Sequence, residues 1–398
     1  MLGCRRMLGY IFILLAERIE NMENNEKKEP MIFDILVAER SNYEVGKQRA
    51  ATLKEYYPED LNYFMSPMEG QDYISAATAH KRMMLIDNIC SGFVDEVQGF
   101  ADEAGIEPEK IICYANSYHN APHCCQFGVL PVNTSDGHFY VGRSYEYFVR
   151  DERSLCITRV TGKPKHMGFS LQNAGRMDGM NEYGLVVSMS STAYLKPLGG
   201  DGCEFWVAIR ALLDRCKDVY EAQCLFEEIP LCTNANFLVA DASNQVAVFE
   251  AASFASDKKR LSVRKPFGGL LVATNHYVSH EMKEFDEYHF WHSEMRYSSV
   301  MNSLLRDAPD LDDEKIRNLL STPYPNGPCC HYYSSGMGTL RSMIFDVTEK
   351  KLKVSFGPPD RNPWHEVDID APVGLQEIVC KYDDVKIENP EQFWREMD

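Results

Sequence analysis

The sequence predicts an α+β protein in which a helical leader precedes a body whose strands lie towards both ends, with helices between them. Two observations carry this prediction. Before residue 123, apolar side chains recur at steps of three and four, which is typical of amphipathic helices. After residue 123, they form short runs rich in Val, Ile, Phe and Tyr, separated by turn residues, which is typical of strands. We therefore place the boundary between leader and body at 123/124.

Composition and charge are those of a globular protein. Of its 398 residues, 44% are apolar and 25% are charged, which excludes a collagen-like fibre, a coiled coil and a disordered chain. The net charge of −18 disfavours nucleic acid and anionic membrane surfaces as partners. The most apolar stretch, residues 8–16, is shorter than the ~20 residues that cross a bilayer. We expect no membrane association.

Residues 1–30 are interpreted as an N-terminal extension. Glu17 and Glu20 follow the apolar stretch at once, and no small-residue cleavage pattern closes it, so a signal peptide is disfavoured. The chain has 13 cysteines; this odd number, spread over a long chain, does not resemble the disulfide framework of a secreted domain. Reduced thiols and a cytoplasmic location are expected.

Residues 31–123 form the predicted leader, which we expect to be helical. A long amphipathic helix is predicted over 77–101, ended by Gly105, and a second helix begins near Pro108. The apolar face of the long helix carries Leu85, Ile86, Ile89, Phe93, Val97 and Phe100.

Residues 124–398 form the predicted body, without internal repeats. Strands are predicted over 124–132, 138–148, 154–160, 184–191, 236–242, 244–251, 268–274, 340–347 and 351–357. Helices are predicted over 204–215, 219–228 and 285–305. The last two strands read as a hairpin.

A pair of cysteines, Cys124 and Cys125, opens the body. A thiol there can pack as a small apolar group, bind a metal, or act as a nucleophile, which needs a base and an oxyanion stabiliser. No metal-ligand spacing accompanies the pair and no familiar Cys–His spacing is present, so the residues alone leave packing and catalysis open. A second pair, Cys329–Cys330, precedes His331. It is interpreted as a packed loop, because vicinal cysteines do not easily chelate one ion.

Five segments of the body resemble, in order, motifs of the choloylglycine hydrolase and penicillin acyltransferase superfamily. They are CCQFGVLPVNTSDGHFYVGRSYEYF, GMNEYGLVVSMS, NFLVADASNQVAVFE, LVATNHYVS and GTLRSMIFDVTEKKLKVSFGPP. The start of the leader, MIFDILVAERSNYEVGKQRA, also resembles the opening of the acyltransferase branch, whose first section is a helical propeptide. The resemblance covers residues 31–359.

The resemblance implies an N-terminal-nucleophile (Ntn) hydrolase, a four-layer αββα sandwich made as an inactive precursor. Autocatalytic cleavage is then expected between His123 and Cys124. The freed α-amino group, with a pKa near ~7.7–8.0, can act as base for its own thiol, so no separate catalytic histidine is required. The cleaved leader is expected to remain bound as a second subunit, because its apolar helix face needs cover.

The resemblance also implies roles for individual residues. Cys124 matches the family nucleophile, since Phe127 and Pro131 follow at the expected offsets, and Cys125 is the structural alternative. Arg143 matches the arginine that holds the thiolate. Glu146 stands where the family has an aspartate that orients the N-terminal amine, a departure of one methylene.

Asn275, in the TNH segment, matches the family's oxyanion-hole asparagine. His276 beside it is expected to support packing rather than proton transfer. Ser191 and Tyr145 are candidates for the substrate pocket, although aromatic side chains in strands also serve as core.

The leading interpretation is an amidohydrolase that cleaves a linear amide C–N bond through a thioester at Cys124. An acyltransferase that moves an acyl group from a thioester or amide to an amine stays open. So does an unprocessed, non-catalytic Ntn-like binding protein, because His123 is not the small residue that would ease the acyl shift. The expected partner is a small-molecule amide or acyl substrate. No cofactor and no metal is implied, and the sequence leaves a homo-oligomer open.

Overall fold

The computed structural model describes residues 30–65, 75–115, 123–149, 153–171, 175–193, 202–253 and 260–397. Within these residues two β-sheets pack face to face, and helices cover the outer face of each sheet. This is the four-layer αββα arrangement predicted from the sequence. Among the described residues, no helix combines the length and the apolar character that crossing a bilayer requires.

The strands of the described residues are numbered in chain order. They are β1 (Met31–Arg40), β2 (Cys125–Val129), β3 (Tyr140–Tyr147), β4 (Ser154–Val160), β5 (His166–Leu171), β6 (Gly175–Arg176), β7 (Asp178–Asn181), β8 (Val186–Ser191), β9 (Ala235–Ala240), β10 (Val246–Ala252), β11 (Arg260–Arg264), β12 (Leu270–Ala273), β13 (His331–Tyr332), β14 (Met337–Asp346), β15 (Lys351–Phe356), β16 (Trp364–Val367) and β17 (Gly374–Cys380).

The helices are numbered in the same way. They are α1 (Asn42–Tyr56), α2 (Pro58–Met65), α3 (Ala76–Ile89), α4 (Phe93–Ala104), α5 (Pro108–Ala115), α6 (Phe205–Arg215), α7 (Val219–Glu228), α8 (Trp291–Asp307), α9 (Asp313–Ser321) and α10 (Pro390–Phe393).

The first sheet has the strand order β11-β10-β9-β8-β7-β5-β4-β1-β17, with β6 beside β5. Helices α1, α6 and α7 pack directly on it; α2 and α4 pack on α1, α3 packs on α6, and α5 packs on the other leader helices. The second sheet has the order β12-β2-β3-β14-β15-β16, with β13 beside β14. It is covered by α8 and α9. Strands β2 and β12 face β8, β9 and β10 across the layer between the sheets.

The sequence predicted a leader that is helical throughout, but in the structure the leader begins with a strand. Its first residues form β1, which pairs antiparallel with β17 and parallel with β4. The segment MIFDILVAER is a nearly continuous apolar run, and most of its side chains are buried. Such a run does not distinguish a buried strand from a helix by periodicity. The leader thus supplies a strand of the first sheet that lies between β4 and the edge strand β17.

The helix predicted over 77–101 is two helices, α3 and α4. The chain turns between them at Gly92, whose φ of +82° lies in the left-handed region that favours glycine. The Asp87 carboxylate accepts from the Gly92 and Val94 amides at 3.0 and 3.1 Å. Helices α1 and α4 approach closely, since a Cβ at Gly46 would lie only 1.9 Å from the Glu96 carbonyl oxygen.

The order of strands and helices predicted for the body is confirmed, including the β14–β15 hairpin. The prediction missed the helices α9 and α10 and the strands β5, β6, β7, β11, β13, β16 and β17. The helix predicted over 285–305 begins later, at Trp291, after a short 3₁₀ turn at His280–Phe285. Helix α9 was missed because only Ile316, Leu319 and Leu320 of its residues are buried.

Candidate active site

The two neighbouring cysteines lie in different layers of the fold. Cys125 pairs with Ser144 in the β2–β3 ladder, and successive residues of a strand point to opposite faces. Cys124 therefore packs in the layer between the two sheets, whereas Cys125 packs between the second sheet and the helices α8 and α9. Only Cys124 shares its face with Arg143.

Arg143 is fully buried beside the Cys124 thiol. Its Nη2 lies 3.8 Å from Cys124 Sγ, while its Nε donates to Asp178 Oδ2 at 2.8 Å and its Nη1 donates to the Met189 carbonyl oxygen. Strands β7 and β8 of the facing sheet thus hold the guanidinium, and its remaining nitrogen points to the thiol. Asp178, the buried counter-ion, was missed by the sequence analysis, because its segment carries no motif beyond a turn.

The two thiols differ in the cation that most strongly stabilises the thiolate of each. Burial raises the pKa of the Cys124 thiol, and Arg143 opposes this rise more than any other group. Burial raises the pKa of Cys125 to about 12, with Arg296 as the main opposing charge. Because the thiolate is the reactive form, a cation against Sγ favours Cys124 as nucleophile.

Glu146 lies on the opposite face of β3 from Arg143, towards helix α8. Its Oε1 accepts from the Ser144 hydroxyl and from Thr339 Oγ1. Its buried Oε2 has no hydrogen-bond partner among the described residues, although Arg296 Nη1 lies 3.6 Å away. Burial raises the pKa of Glu146 to about 7, against the opposing effects of Arg296 and the Ser144 hydrogen bond.

Arg296, on α8, was not predicted and lies at the centre of the site. Its Nη1 donates to the backbone carbonyl oxygens of His123 and Cys124 at 3.2 and 2.9 Å. Its Nη2 donates to Asn275 Oδ1 at 2.6 Å. One buried guanidinium thus contacts both the peptide bond at 123/124 and the candidate oxyanion residue. Arg296 was not predicted because it belongs to no sequence motif and is simply an arginine in a polar helix.

Asn275 lies two residues after the end of β12 and bridges the two sheets. Its Nδ2 donates to the Ser191 carbonyl oxygen at 2.7 Å, and its backbone N–H donates to Ser293 Oγ at 2.8 Å. An amide nitrogen carries two hydrogens, and among the described residues this bond uses only one. The side chain is therefore fixed in orientation and retains a donor, as an oxyanion-hole residue requires.

The two predicted pocket residues lie in or at the edge of the same layer. Ser191 ends β8 and supplies the carbonyl oxygen that fixes Asn275. Tyr145 is buried on the face of Cys124, with the Arg341 guanidinium carbon 3.9 Å from its ring centre and the Arg143 carbon 5.7 Å away. The Tyr145 ring thus forms a wall of the layer between the sheets, next to two buried cations.

Two groups of metal-ligating side chains occur among the described residues. One consists of His276, His289 and Glu294, and the other of Cys329, His331 and Asp360. Cys330 packs in an apolar cluster with Met337 and Phe393, as expected for a packed loop, but Cys329 faces His331 and Asp360 instead.

Comparisons with known proteins place the chain in a family. The family model for acyl-coenzyme A:6-aminopenicillanic acid acyl-transferase matches residues 132–361. Penicillin V acylase from Agrobacterium tumefaciens is similar in structure at 14% identity, with a TM-score of 0.44, over 66% of this chain and 100% of that chain. A mutant of the conjugated bile acid hydrolase from Clostridium perfringens is similar at 12% identity, with a TM-score of 0.41, over 66% and 99% of the two chains.

The Caenorhabditis elegans ortholog of N-acylethanolamine-hydrolyzing acid amidase is similar at 16% identity, with a TM-score of 0.36, over 56% of this chain and 93% of that chain. Among the curated proteins, none matches at a significant level. The family model covers more than half of the 398 residues. The chain therefore belongs to the acyl-coenzyme A:6-aminopenicillanic acid acyl-transferase family.

Proposed function

We propose that the protein is an autoprocessed N-terminal cysteine amidohydrolase that cleaves a linear amide C–N bond of a small molecule through a thioester at Cys124. The observation that carries the proposal is the setting of Cys124. Its thiol lies against Arg143, and the carbonyl oxygen of the preceding residue accepts from Arg296. Family membership supports the same class of chemistry.

Self-cleavage would begin with attack of Cys124 Sγ on the His123 carbonyl carbon. The thiol loses its proton and negative charge develops on the His123 oxygen, where the Arg296 guanidinium stabilises it. The C–N bond at 123/124 then breaks, the Cys124 nitrogen takes up a proton, and His123 is held as a thioester. Water hydrolyses this thioester to a carboxylate and restores the thiol.

Turnover would use the amine that this cleavage frees. At neutral pH an α-amino group is partly unprotonated and can accept the proton of its own thiol. The thiolate, held by Arg143, attacks the substrate carbonyl, and the free Nδ2 hydrogen of Asn275 meets the developing oxyanion. The leaving amine takes the proton, and water releases the acyl group as a carboxylic acid. Glu146 Oε2, which accepts no hydrogen bond within the described part of the chain, is a suitable acceptor for the protonated amine.

The leader would remain as a subunit after cleavage. Strand β1 lies between β4 and β17, in register from Met31–Cys380 to Val37–Gly374 on one side and from Asp34–Ser154 to Arg40–Val160 on the other. Its removal would expose two ladders of unpaired backbone groups in the first sheet. The backbone pairing of β1 and the apolar faces of the leader helices therefore both favour retention of the leader.

The second candidate is an acyltransferase, in which an amine rather than water attacks the Cys124 thioester. The description of the matching family favours this alternative. The two reactions share every step up to the thioester and differ only in its acceptor. Product analysis with and without an added amine separates them.

Intact mass and N-terminal sequencing of the purified full-length protein test the proposal. Wild-type protein should give two chains, the larger spanning residues 124–398, and Cys124→Ala should stay uncut and inactive. Cys125→Ser is the matched control and should be cut and active, because residue 125 keeps an amide nitrogen that cannot act as base. Active protein with only its original N-terminus, or labelling by iodoacetamide that spares Cys124, would falsify the proposal. Uncut and inactive wild-type protein would favour a binding module.

A further inference from the structure

Three side chains outside the proposed mechanism converge beside the site, and we name them the His276 cluster: His276, His289 and Glu294. His276 Nε2 lies 3.3 Å from Glu294 Oε2, and His289 Nε2 lies 3.1 Å from the same oxygen. The ligand atoms of all three lie within 4.8 Å of one another. The two imidazole rings are stacked, with 4.2 Å between their centres.

We propose that the His276 cluster binds a divalent transition-metal ion, with zinc as the expected occupant, through His276 Nε2, His289 Nε2 and a Glu294 carboxylate oxygen. Two imidazoles and one carboxylate form a known zinc donor set that leaves a fourth position open to water. Zinc bonds of ~2.0–2.2 Å place neighbouring ligands of a tetrahedral site about 3.3–3.6 Å apart. The two distances to Glu294 Oε2 are close to this separation.

The hydrogen-bond partners of His276 Nδ1 are compatible with the tautomer that a metal ligand requires. His276 Nδ1 lies 2.8 Å from Ser293 Oγ and 3.2 Å from Thr274 Oγ1. Each hydroxyl oxygen can accept from an Nδ1–H group, and Thr274 Oγ1 donates its own hydrogen to the Ser293 carbonyl oxygen at 3.1 Å. We take the tautomer in which Nδ1 carries the proton. In the neutral ring the lone pair then lies on Nε2, facing Glu294.

With the proton on Nδ1, the Nε2 lone pair of His276 and the Glu294 carboxylate oxygen face each other 3.3 Å apart. A metal ion between them satisfies both acceptors at once. The Nδ1–H bond to Ser293 Oγ is also the outer contact that metal-binding histidines commonly make, since it fixes the ring and its tautomer.

The other convergent group is a weaker candidate. In the cluster of Cys329, His331 and Asp360, the carboxylate already has a cation, because Arg361 Nη1 lies 2.8 Å from Asp360 Oδ2. No lysine or arginine nitrogen in the described part of the chain makes an ion pair with Glu294, whose partners are the two histidines. A variant of the second group therefore serves as the control for zinc binding.

A metal in the His276 cluster would join three separate segments around the catalytic residues. His276 follows Asn275 directly, His289 lies before α8, and Glu294 is in the first turn of α8, which also carries Arg296. The ion would hold the start of α8 against the end of β12, and would thus fix the distance between Arg296 and Asn275.

Zinc binding by the full-length protein tests this site. Protein stripped with a chelator is dialysed against zinc chloride, its metal content is measured by mass spectrometry, and its Tm is recorded with and without zinc. Wild-type protein should bind equimolar zinc, and its Tm should rise with zinc concentration, because an ion that binds only the folded state stabilises it. His289→Ala and Glu294→Gln should lose both effects, whereas His331→Ala should keep them.

His289 is partly exposed, so its replacement leaves the core intact, and circular dichroism verifies the fold of each variant. Wild-type protein with no more zinc than His289→Ala would overturn the proposal. Loss of zinc in His331→Ala with retention in His289→Ala would place the ion at the other group and would overturn it equally. Neither result depends on self-cleavage or turnover, since both are measured on the uncut or cut chain alike.

Discussion

The Arg296 guanidinium lies 3.2 Å from the carbonyl oxygen of His123, the oxygen of the peptide bond that precedes Cys124. The same guanidinium donates to the Asn275 side chain. A single buried cation therefore connects the bond proposed for self-cleavage with the residue proposed to stabilise substrate intermediates. Replacement of Arg296 should therefore affect the rate of self-cleavage first.

Replacement of Arg296 should slow self-cleavage. Loss of one oxyanion donor costs on the order of 10²–10³ in rate, or ~2.7–4 kcal/mol, and Arg296→Gln should slow the appearance of the 124–398 chain by about that factor. The measurement is the fraction cut against time by gel electrophoresis. Arg306→Gln, an exposed arginine on the same helix, is the matched control and should be cut normally.

A second variant separates chemistry from folding at this position. Arg296→Lys keeps the charge that faces Glu146 but loses the fork that spans His123 and Asn275, so we expect cleavage intermediate between wild type and Arg296→Gln. Cleavage of a folded Arg296→Gln at the wild-type rate would show that the contact with His123 has no catalytic effect.

Asn275→Ala should lower kcat more than it raises KM. An amide donor aimed at the tetrahedral intermediate stabilises charge that exists only in the transition state, so a loss of about 10²–10³ in kcat is expected. The variant is best made with a leader that ends at an engineered protease site, which exposes Cys124 independently of self-cleavage. Asn318→Ala, an exposed asparagine on α9, is the control. If the mature variant retains the wild-type kcat, the donor is Ser191 or a backbone amide instead.

Glu146 should make stability depend on pH. Its pKa rises from 4.5 to about 7 on folding, so the folded state binds a proton that the unfolded state has already lost between these values. The free energy of unfolding should therefore fall as pH increases through this window, by on the order of 3 kcal/mol from this group. Glu146→Gln resembles the protonated form and should remove this contribution.

Urea unfolding at several pH values between ~4.5 and ~8 measures this effect. The stability of Glu146→Gln relative to wild type should increase with pH over this range. Glu366→Gln replaces an exposed carboxylate and should follow wild type. A constant difference between Glu146→Gln and wild type would show that the carboxyl group is ionised throughout.

The leader should co-purify with the body after cleavage. We expect both chains to elute together in gel filtration and to separate only in denaturant, because β1 is paired on both sides. Val37→Pro, which removes a ladder donor in the middle of β1, should weaken this association, whereas Tyr56→Ala at an exposed position of the leader should not. Loss of the leader from a body that stays folded and active would contradict the expectation.

The sequence predicted best what depends on local pattern. Strands such as β14 and β15 follow from their apolar alternation and the turn between them, and α6 and α7 from their spacing. Strand β1 was missed because a run buried on both faces has no period. The break at Gly92 was missed because the apolar period runs on through it.

The site was predictable only where a motif lies within one segment. Cys124, Arg143 and Asn275 belong to segments with recognisable spacing. Arg296 and the His276 cluster depend on how α8 packs against the ends of β2 and β12, which no spacing along the chain encodes. The sequence also grouped Arg143 with Glu146, yet the pleat of β3 places their side chains on opposite faces of the strand.

The position of β1 has a consequence for how the two chains of a cut molecule behave as a population. Strand β1 lies between β4 and the edge strand β17, so a leader cannot leave, or be replaced by another copy, until its backbone pairing on both sides is broken. Subunit exchange between cut molecules would therefore be slow, because it requires this local opening of the sheet. Two purified cut variants, once mixed, would form hybrids only on the timescale of that opening.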